Sequence, residues 1–529
     1  MPNKNLFNSA QAAIPVADTT NDAGGRAYTM KPKAALAQMA MTGCFNGTYY
    51  ATAKTQLDRV MALLPKVGAE FIAKLAVAAR TEGYMKDMPA FLVTYLAMKH
   101  RDRKDLLKAV FPVVINNGKM LRNVITFVRS GTFGKRTFPQ PLRKELAKWF
   151  ERRPDQIFRA TVGNDPSMRD ILRMLHVRPA SKEHEALFGY IIGKTPKSAL
   201  PEIVQKFEAF KADPANAEVP KVDFRMLTGT QIPDAVWTQI ARDARWMMTR
   251  MNLNTFKRHN VFEDAKMVNL IAKRLADADE IKRAMAFPYQ LLAAYKAVEG
   301  DMPRKIVDAL HDAMEIATDN VPEIEGDIVL AVDTSGSMGC AVTGYRGSAT
   351  SSISCVDVAS LFASAVLRKN RSARVLPFDT AIRDVRLEPR DTVMTNANKL
   401  ARLGGGGTDC SLVLRTLNAE NAMVDAVIYV SDSESWVDSG HRWYNRGTGM
   451  MEEWLKLKRR CRQAKLVCID LTPADDSQVT KHRQSVLQVG GFSDKVFSVV
   501  ADFIANPSDN AWVDKIEALD LDSYAKKSG

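Results

Sequence analysis

The stretch DIVLAVDTSGSMG, residues 327 to 339, places Asp333, Ser335 and Ser337 at alternate positions directly after an apolar run. Two later segments add the same kind of chemistry: LGGGGTDCS brings Thr408 and VIYVSDSES brings Asp432. Together they offer two carboxylates and three hydroxyls, all of them hard oxygen donors. Few carboxylates among several neutral oxygens suit Mg²⁺, which keeps coordination positions for water or an incoming ligand. The expectation is a divalent cation, Mg²⁺ by this chemistry, held by Asp333, Ser335, Ser337, Thr408 and Asp432. Gly404 to Gly407 let the backbone fold tightly enough for Thr408 to reach it. A phosphate-binding loop would need Lys and Ser or Thr after its last glycine, where GGGGTDC offers Asp409. A serine nucleophile would want a histidine base, and none of the seven histidines lies near these strand ends. The remaining alternative is that SGS is only a flexible loop.

Such a set needs strands to position it. Ile328 to Val332 reads as a strand covered on both faces, and Asp333 then emerges where the chain leaves the sheet, the edge at which open α/β sheets keep their sites. After DNVPEIEG, residues 319 to 326, the runs DIVLAVD, ARVLPFD, DAVIYVSD, KLVCIDL and KVFSVV alternate with helical segments such as VDVASLFASAVLRK. That alternation predicts a doubly wound α/β domain with a mainly parallel sheet, beginning near residue 325. Before it the signals are helical. Phe91, Leu92, Tyr95 and Leu96 form one apolar stripe, Leu106, Leu107, Val110 and Phe111 a second, Leu142, Leu146, Trp149 and Phe150 a third. Short helices joined by turns, with no strand pattern between them, predict stacked helical pairs of a solenoid, although no strict sequence period is present. KADPANAEVPK, near residues 211 to 221, reads as a loop.

The chain of 529 residues is too long for one core, and 46% hydrophobic content is ample for at least two domains. Six cysteines, Cys44, Cys340, Cys355, Cys410, Cys461 and Cys468, show no CxxC pairing, which argues for a reducing compartment and against a zinc ribbon. The first twenty residues lack a basic start followed by an apolar core, and no run reaches the roughly 18 apolar residues of a membrane span, so a soluble, cytoplasmic protein is expected. The net charge of +14 is unevenly placed. About 25 Lys and Arg face about 26 Asp and Glu from residue 324 onward, against about 49 and 34 before it. A basic half beside a neutral half suggests that one domain meets a polyanion; a solubilising surface is the alternative.

Asp-x-Ser-x-Ser with a distant Thr and a distant Asp resembles the metal-ion-dependent adhesion site of a von Willebrand factor A domain, and all five positions match. The basic helical half resembles the TROVE module of the Ro autoantigen family through TNDAGGRAYTM, TGCFNGTYYATAKTQ, LAVAARTEGYMKDMPAFLVTYLA and DPSMRDILRMLHVRP. With the A domain, this resemblance covers most of the chain from about residue 20. It implies an all-α, HEAT-like helical-repeat ring followed by a doubly wound, Rossmann-like A domain. The expected divisions are an N-terminal arm over 1–20, the TROVE domain over 21–325 and the A domain over 326–529. It also implies that the ring's hole admits single-stranded RNA ends while a basic outer face holds structured RNA.

The residues of NDPSMRDILRMLHVRP carry a separate reading. Asp165 is a good N-cap, Pro166 suits the first helical position and Pro179 limits the far end. Arg169, Arg173 and His176, at i, i+4 and i+7, lie within about 60° of one face, while Met168, Ile171, Leu172 and Leu175 make an apolar one. Such cations and an imidazole can bond phosphates and stack on unpaired bases; a solvated face is the alternative. In the family the histidine of this segment contacts RNA. VRSGTFGKRTFPQPLRKEL adds Arg129, Lys135, Arg136, Arg143 and Lys144 around a glycine and aromatic loop, which can present cations to phosphates or be merely solvated. Arg159 matches a basic position of the family, but Gly163 stands where the family commonly has a second basic residue, which bears on affinity for a particular Y RNA.

The expectation is a non-catalytic RNA-binding protein of the Ro type, taking Y-like small structured RNA and RNA with single-stranded ends for quality control or processing. Its A domain would meet a protein partner, such as a nuclease, with neither membrane nor DNA involved. The alternative is a metal-dependent protein-interaction module that uses the helical half as scaffold. A metal-dependent enzyme fits least, because no base or nucleophile accompanies the ion.

Overall fold

The computed structural model describes residues 14–528 apart from positions 43–44, 47–48, 195–199, 228, 230, 285, 287, 299, 345–352, 438–446, 473, 481–484, 492–494 and 506–510. Cys44 lies outside the described residues. The chain forms two compact units. One takes in residues up to Val67, a short piece from 287 to 293 and Ala317–Lys515; the other takes Gly68–Ala286, Ala294–Ile316 and the chain from Ile516.

In the first unit the strands are β1 (Thr19–Thr20), β2 (Arg26–Thr29), β3 (Ile328–Asp333), β4 (Arg374–Phe378), β5 (Ala426–Ser431), β6 (Lys465–Asp470), β7 (Asp476–Ser477) and β8 (Val486–Gly490). A five-stranded sheet runs β4-β3-β5-β6-β8, parallel throughout. Every residue of β3 and β5 is buried, which is why both read as unbroken apolar runs rather than alternating ones. On one face Val329, Ala331, Val427 and Tyr429 pack with Leu414, Leu417, Met451 and Trp454 of the Leu412–Ala419 and Gly449–Arg460 helices. The Cys355–Lys369 helix packs on β3 and carries Phe362, which stacks on Phe497 at 4.3 Å between ring centres.

KVFSVV is not a strand but opens the Lys495–Ala505 helix. Val496, Phe497, Val500 and Phe503 are buried at a helical period, so β-branched content misled where spacing decided. The fifth parallel strand is VLQVG, residues 486 to 490. The boundary expected near residue 325 separates the sheet from the helical repeats but not the compact units. Residues 14–67 pack with the sheet: β2 pairs β1 and β7 antiparallel, and Arg59 bonds Asp22 and lies 3.4 Å from Asp475.

The second unit is helical, and its first members are Ala69–Thr81, Asp87–Lys99, Lys104–Val114, Gly118–Ser130 and Gln140–Trp149. Ala69–Thr81 packs on Asp87–Lys99 and Lys104–Val114, Asp87–Lys99 packs on Gly118–Ser130, and Lys104–Val114 packs on Gln140–Trp149 and on Leu521–Ser528, the pattern of stacked helical pairs for the first five. Asp87–Lys99 is not an amphipathic surface helix, because Met88 to Met98 are all buried and it runs through the core. Asn117 caps the Gly118–Ser130 helix by accepting from Met120 N, and Gly131 ends it at φ +82°.

Candidate metal centre and nucleic-acid interface

The strand order places the candidate metal residues. Counted in chain order within the parallel sheet it is 2-1-3-4-5, and the order reverses between β3 and β5, where a crevice opens beyond the carboxyl ends of the strands. Asp333 ends β3 and Asp432 follows β5, so the two carboxylates stand on either side of that point.

The chain after β3 turns sharply, with Ser335 N donating to Asp333 Oδ1 at 2.8 Å and Ser335 Oγ lying 3.2 Å from Ser337 Oγ. Ser431 Oγ donates to Asp333 Oδ2 at 2.5 Å, and Ser337 hydrogen-bonds the Asp432 carboxylate. The glycine loop runs beside this turn: Gly405 N donates to Thr334 O at 3.1 Å and Gly336 N to Gly406 O at 3.0 Å. Gly404 has φ +100°, and a Cβ there would stand 1.7 Å from the Thr334 carbonyl oxygen, so no other residue fits. The Thr408 carbonyl accepts from Trp436 N at 3.2 Å, tying this loop to the one after β5. Asp379 at the end of β4 holds the glycine loop through Gly406 N at 3.3 Å and pairs with Arg383.

All five predicted ligands are buried, Asp333 completely. Desolvation and the facing Asp432 push the Asp333 carboxyl up to about 7, and desolvation raises Asp432 as well. Asp432 Oδ2 is buried without a hydrogen-bond partner. Two desolvated carboxylates facing each other, one with an orphaned oxygen, fit a bound cation that would supply the missing charge and ligand. Among the described residues no three His, Cys, Asp or Glu side chains converge on a metal position, so such a site relies on its hydroxyls.

Three groups here were not singled out from sequence. Tyr50 hydrogen-bonds Ser337, and its phenol is pushed up to about 12, by burial first, with the Asp432 and Glu434 carboxylates adding to the rise. Glu434 is pushed up to about 9 by burial and Asp432, and accepts from Ala23 N at 3.0 Å. Asp470, at the end of β6, is raised by burial with Asp432 and Asp476 contributing. Asp470 ends KLVCID as Asp333 ends DIVLAVD, a signal present in the sequence. Glu434 lies two positions past Asp432 in VIYVSDSES, so its place at this edge was also readable, whereas Tyr50 lacks a signal, since only folding brings it here.

In the helical unit the segment expected to carry Arg169, Arg173 and His176 forms the Met168–Leu175 helix. Its N-cap is Ser167, not Asp165: Ser167 Oγ accepts from Asp170 N, and Asp170 returns a bond to Ser167 N. Pro166 therefore precedes the helix instead of opening it. Met168, Ile171, Leu172 and Leu175 are buried, and Arg169, Arg173 and His176 are exposed. Arg169 Nε donates to Ile191 O at 3.1 Å, holding the end of the Lys182–Ile192 helix. His176 is the C-cap at φ +50°.

Arg129, Lys135, Arg136 and Lys144 are exposed and Arg143 is half-buried, on the end of the Gly118–Ser130 helix, the following loop and the Gln140–Trp149 helix. Of the nine predicted RNA contacts, Arg159 alone lines a polar groove that Lys86, Lys119, Arg122, Arg152, Arg153 and Arg225 also line, with Glu151 and Asp223 as its acids. Some of these cations are structural. Arg122 Nη2 donates to Ala160 O at 2.8 Å and its Nε to Pro166 O at 3.2 Å; Arg152 Nη1 donates to Asn116 O at 2.9 Å. Lys86 is held below the ordinary lysine range by burial, and then by Lys119 and Arg80. Gly163 has φ +109°, which strains any side-chain-bearing residue there, and a Cβ would stand 3.1 Å from the Arg122 guanidinium carbon, which would have to give by a few tenths of an ångström. No helix among the described residues is long and apolar enough to cross a membrane.

Two family models match: the TROVE domain over residues 86–305 and the Ro60 vWA domain over residues 327–504. The chain is 26% identical over 524 residues to the RNA-binding protein RO60 of Deinococcus radiodurans, covering 91% of this chain and 94% of that one. It is also 26% identical over 285 residues to the RNA-binding protein RO60 of Caenorhabditis elegans, covering 51% of this chain and 42% of that one. Its fold matches the crystal structure of the Deinococcus radiodurans Ro (Rsr) protein with TM-score 0.62 and 21% identity, over 90% of this chain and 99% of the other. With helical repeats followed by a doubly wound A domain, both matched in that order, the chain belongs to the Ro family.

Proposed function

We propose that this protein binds RNA, as the names of its relatives state for them, that it does so through its helical repeats, and that its A domain holds Mg²⁺ for a separate partner. The observation that carries the RNA reading is the groove around Arg159. Lys86, Lys119, Arg153 and Arg159 stand there; Lys119 lies 3.3 Å from Asp87, and Arg153 and Arg159 share Asp155. Burial first, and then Lys119 and Arg80, depress Lys86, and the repulsion from those neighbours is a cost that a polyanion relieves. Small structured RNA of the Y type and RNA with a free single-stranded end are the ligands this reading names. Their retention for quality control or processing is the corresponding role.

At the other site Asp333, Ser335 and Ser337 would hold the ion, with Thr408 and Asp432 direct or through water. Bound there, the cation supplies a Lewis-acidic position for an oxygen ligand such as a carboxylate from a partner protein, a nuclease being the kind that would use the RNA. Asp333 and Asp432 provide the charge, the serine hydroxyls orient toward it, and the glycine loop keeps Thr408 in place.

The test is fluorescence anisotropy of the full chain with a labelled small RNA bearing a single-stranded 3′ end, in a salt series. Each neutralised phosphate should add about 0.9 or less to the log-log slope. Replacing Lys119 and Arg159 together by Ala should weaken binding and flatten that slope. Binding indifferent to salt and to both substitutions would defeat the groove as the RNA site.

A further inference from the structure

Three residues past Ser337 the chain reaches Cys340, whose sulfur lies 3.6 Å from that of Cys355. The backbone sets this approach. Val342 N donates to Ile353 O at 3.0 Å and Cys355 N donates to Cys340 O at 2.9 Å, on either side of the antiparallel bridge between Ala341 and Ser354. Cys340 and Cys355 are therefore register partners. Residues directly opposite each other on antiparallel strands have Cα atoms about 4.5–5.5 Å apart, within the span that a disulfide bridges. Both cysteines are buried, at 3% and 0% exposure, so neither is a surface thiol that meets a partner by chance. Cys461 differs: its sulfur contacts Met423 and the Ala422 carbonyl.

We propose that Cys340 and Cys355 form a reversible disulfide that fastens the backbone following Ser335 and Ser337 to the start of the Cys355–Lys369 helix. The oxidant is hydrogen peroxide, a molecule little larger than water. The Cys340 thiolate, on the less deeply covered residue, attacks the O–O bond; hydroxide leaves and takes a proton to become water, and Cys340 becomes a sulfenic acid. The Cys355 sulfur then attacks that sulfur, the S–S bond forms as the S–O bond breaks, and a second water departs. The two thiols lose two electrons and the peroxide gains them. The reduced contact needs only a closing of the sulfurs to about 2.05 Å. The crosslink holds Ala341 and Ser354 paired and limits movement of the turn that carries the two serines, which makes this edge of the A domain redox-sensitive.

Peroxide treatment of the full chain, blocking of free thiols and tryptic digestion read the outcome by mass spectrometry. Cleavage after Lys305, Arg346 and Arg368 places Cys340 and Cys355 in different peptides. The expected product is the 306–346 peptide joined to 347–368, in most of the chains, and released by dithiothreitol. In Cys355→Ser the joined pair should be absent and Cys340 should be trapped by dimedone as sulfenic acid. The oxidised wild type should melt higher than the reduced protein, with no such rise in Cys355→Ser. Recovery of both cysteines as free thiols, their separate oxidation to sulfinic acids, or pairing with other cysteines in the wild-type protein would overturn the proposal. Because that measurement needs no variant, misfolding of Cys355→Ser does not blunt it.

Discussion

At the residue scale the A-domain site turns on Asp333. Burial and Asp432 raise its folded value to about 7, above the ordinary 3.8. It thus binds its proton more tightly folded than unfolded, and the metal-free protein loses stability as pH rises from about 4 to about 7. A cation that binds the ionised pair reverses this loss. The thermal upshift produced by Mg²⁺ over EDTA should therefore grow from about pH 5 to about pH 8; an upshift that is flat or falls with pH would count against the site. Asp333→Ala should abolish calorimetric Mg²⁺ binding while RNA affinity stays within tenfold, about 1.4 kcal/mol. A larger loss with the fold intact would put the ion in the RNA site. Tyr50→Phe leaves Ser337 without the phenol as a partner, and Mg²⁺ should then bind about threefold tighter, in line with the 0.5–1.5 kcal/mol of one hydrogen bond. Unchanged or weaker affinity would make Tyr50 a support of the site instead of a competitor. Asp333, Ser335, Ser337, Thr408 and Asp432 could be singled out as candidates from sequence because alternation after an apolar run and a glycine-rich loop are local signals. Tyr50 sits more than 280 positions from Ser337, with no local pattern to connect them.

At the scale of elements, backbone conformation decides what a substitution does. Gly404 combines a positive φ with the Thr334 carbonyl where its Cβ would be. Gly404→Ala should cost about 2 kcal/mol or more, read by urea denaturation, whereas an ordinary surface change stays within about 0.5 kcal/mol. His176 caps its helix in the left-handed region, where Gly is the favoured residue. The pair Arg173→Ala and His176→Gly should therefore leave stability unchanged or raise it by up to about 1 kcal/mol while weakening RNA binding. Wild-type affinity for every RNA tried would make this face merely solvated. The apolar stripe of this helix was readable from its spacing. Its true N-cap was not: Asp165 and Ser167 are both good caps, and Ser167 has Asp170 at the position that completes a reciprocal pair. KVFSVV shows the same limit, since four apolar residues in six, three of them valines, satisfy a strand until the next turn, ending in Phe503, reveals its helical period.

For the whole molecule, the sequence boundary near residue 325 is a poor place to cut. A fragment ending there would keep β2 without β7 and remove Thr448 from Tyr28 and Asp475 from Arg59. Such a fragment should be less soluble and less cooperative in melting than one spanning 68–316. Equal behaviour of the two would show that residues 14–67 fold without the A domain. RNA binding is therefore better divided by point substitutions than by truncation. The order of helical repeats and α/β domain, the basic excess before residue 324 and the oxygen-rich strand ends were set by the sequence alone, because periodicity, charge and motif spacing are properties of neighbouring positions. Tertiary structure decided the rest. It assigned residues 14–67 to the unit of the sheet, singled out Arg159 to share a groove with Lys86 and Lys119, and brought Cys340 beside Cys355. Those pairings arise from sheet register and helix packing, in which residues far apart in the chain meet by burying apolar surface and pairing backbone groups, and no local spacing encodes which ones will meet.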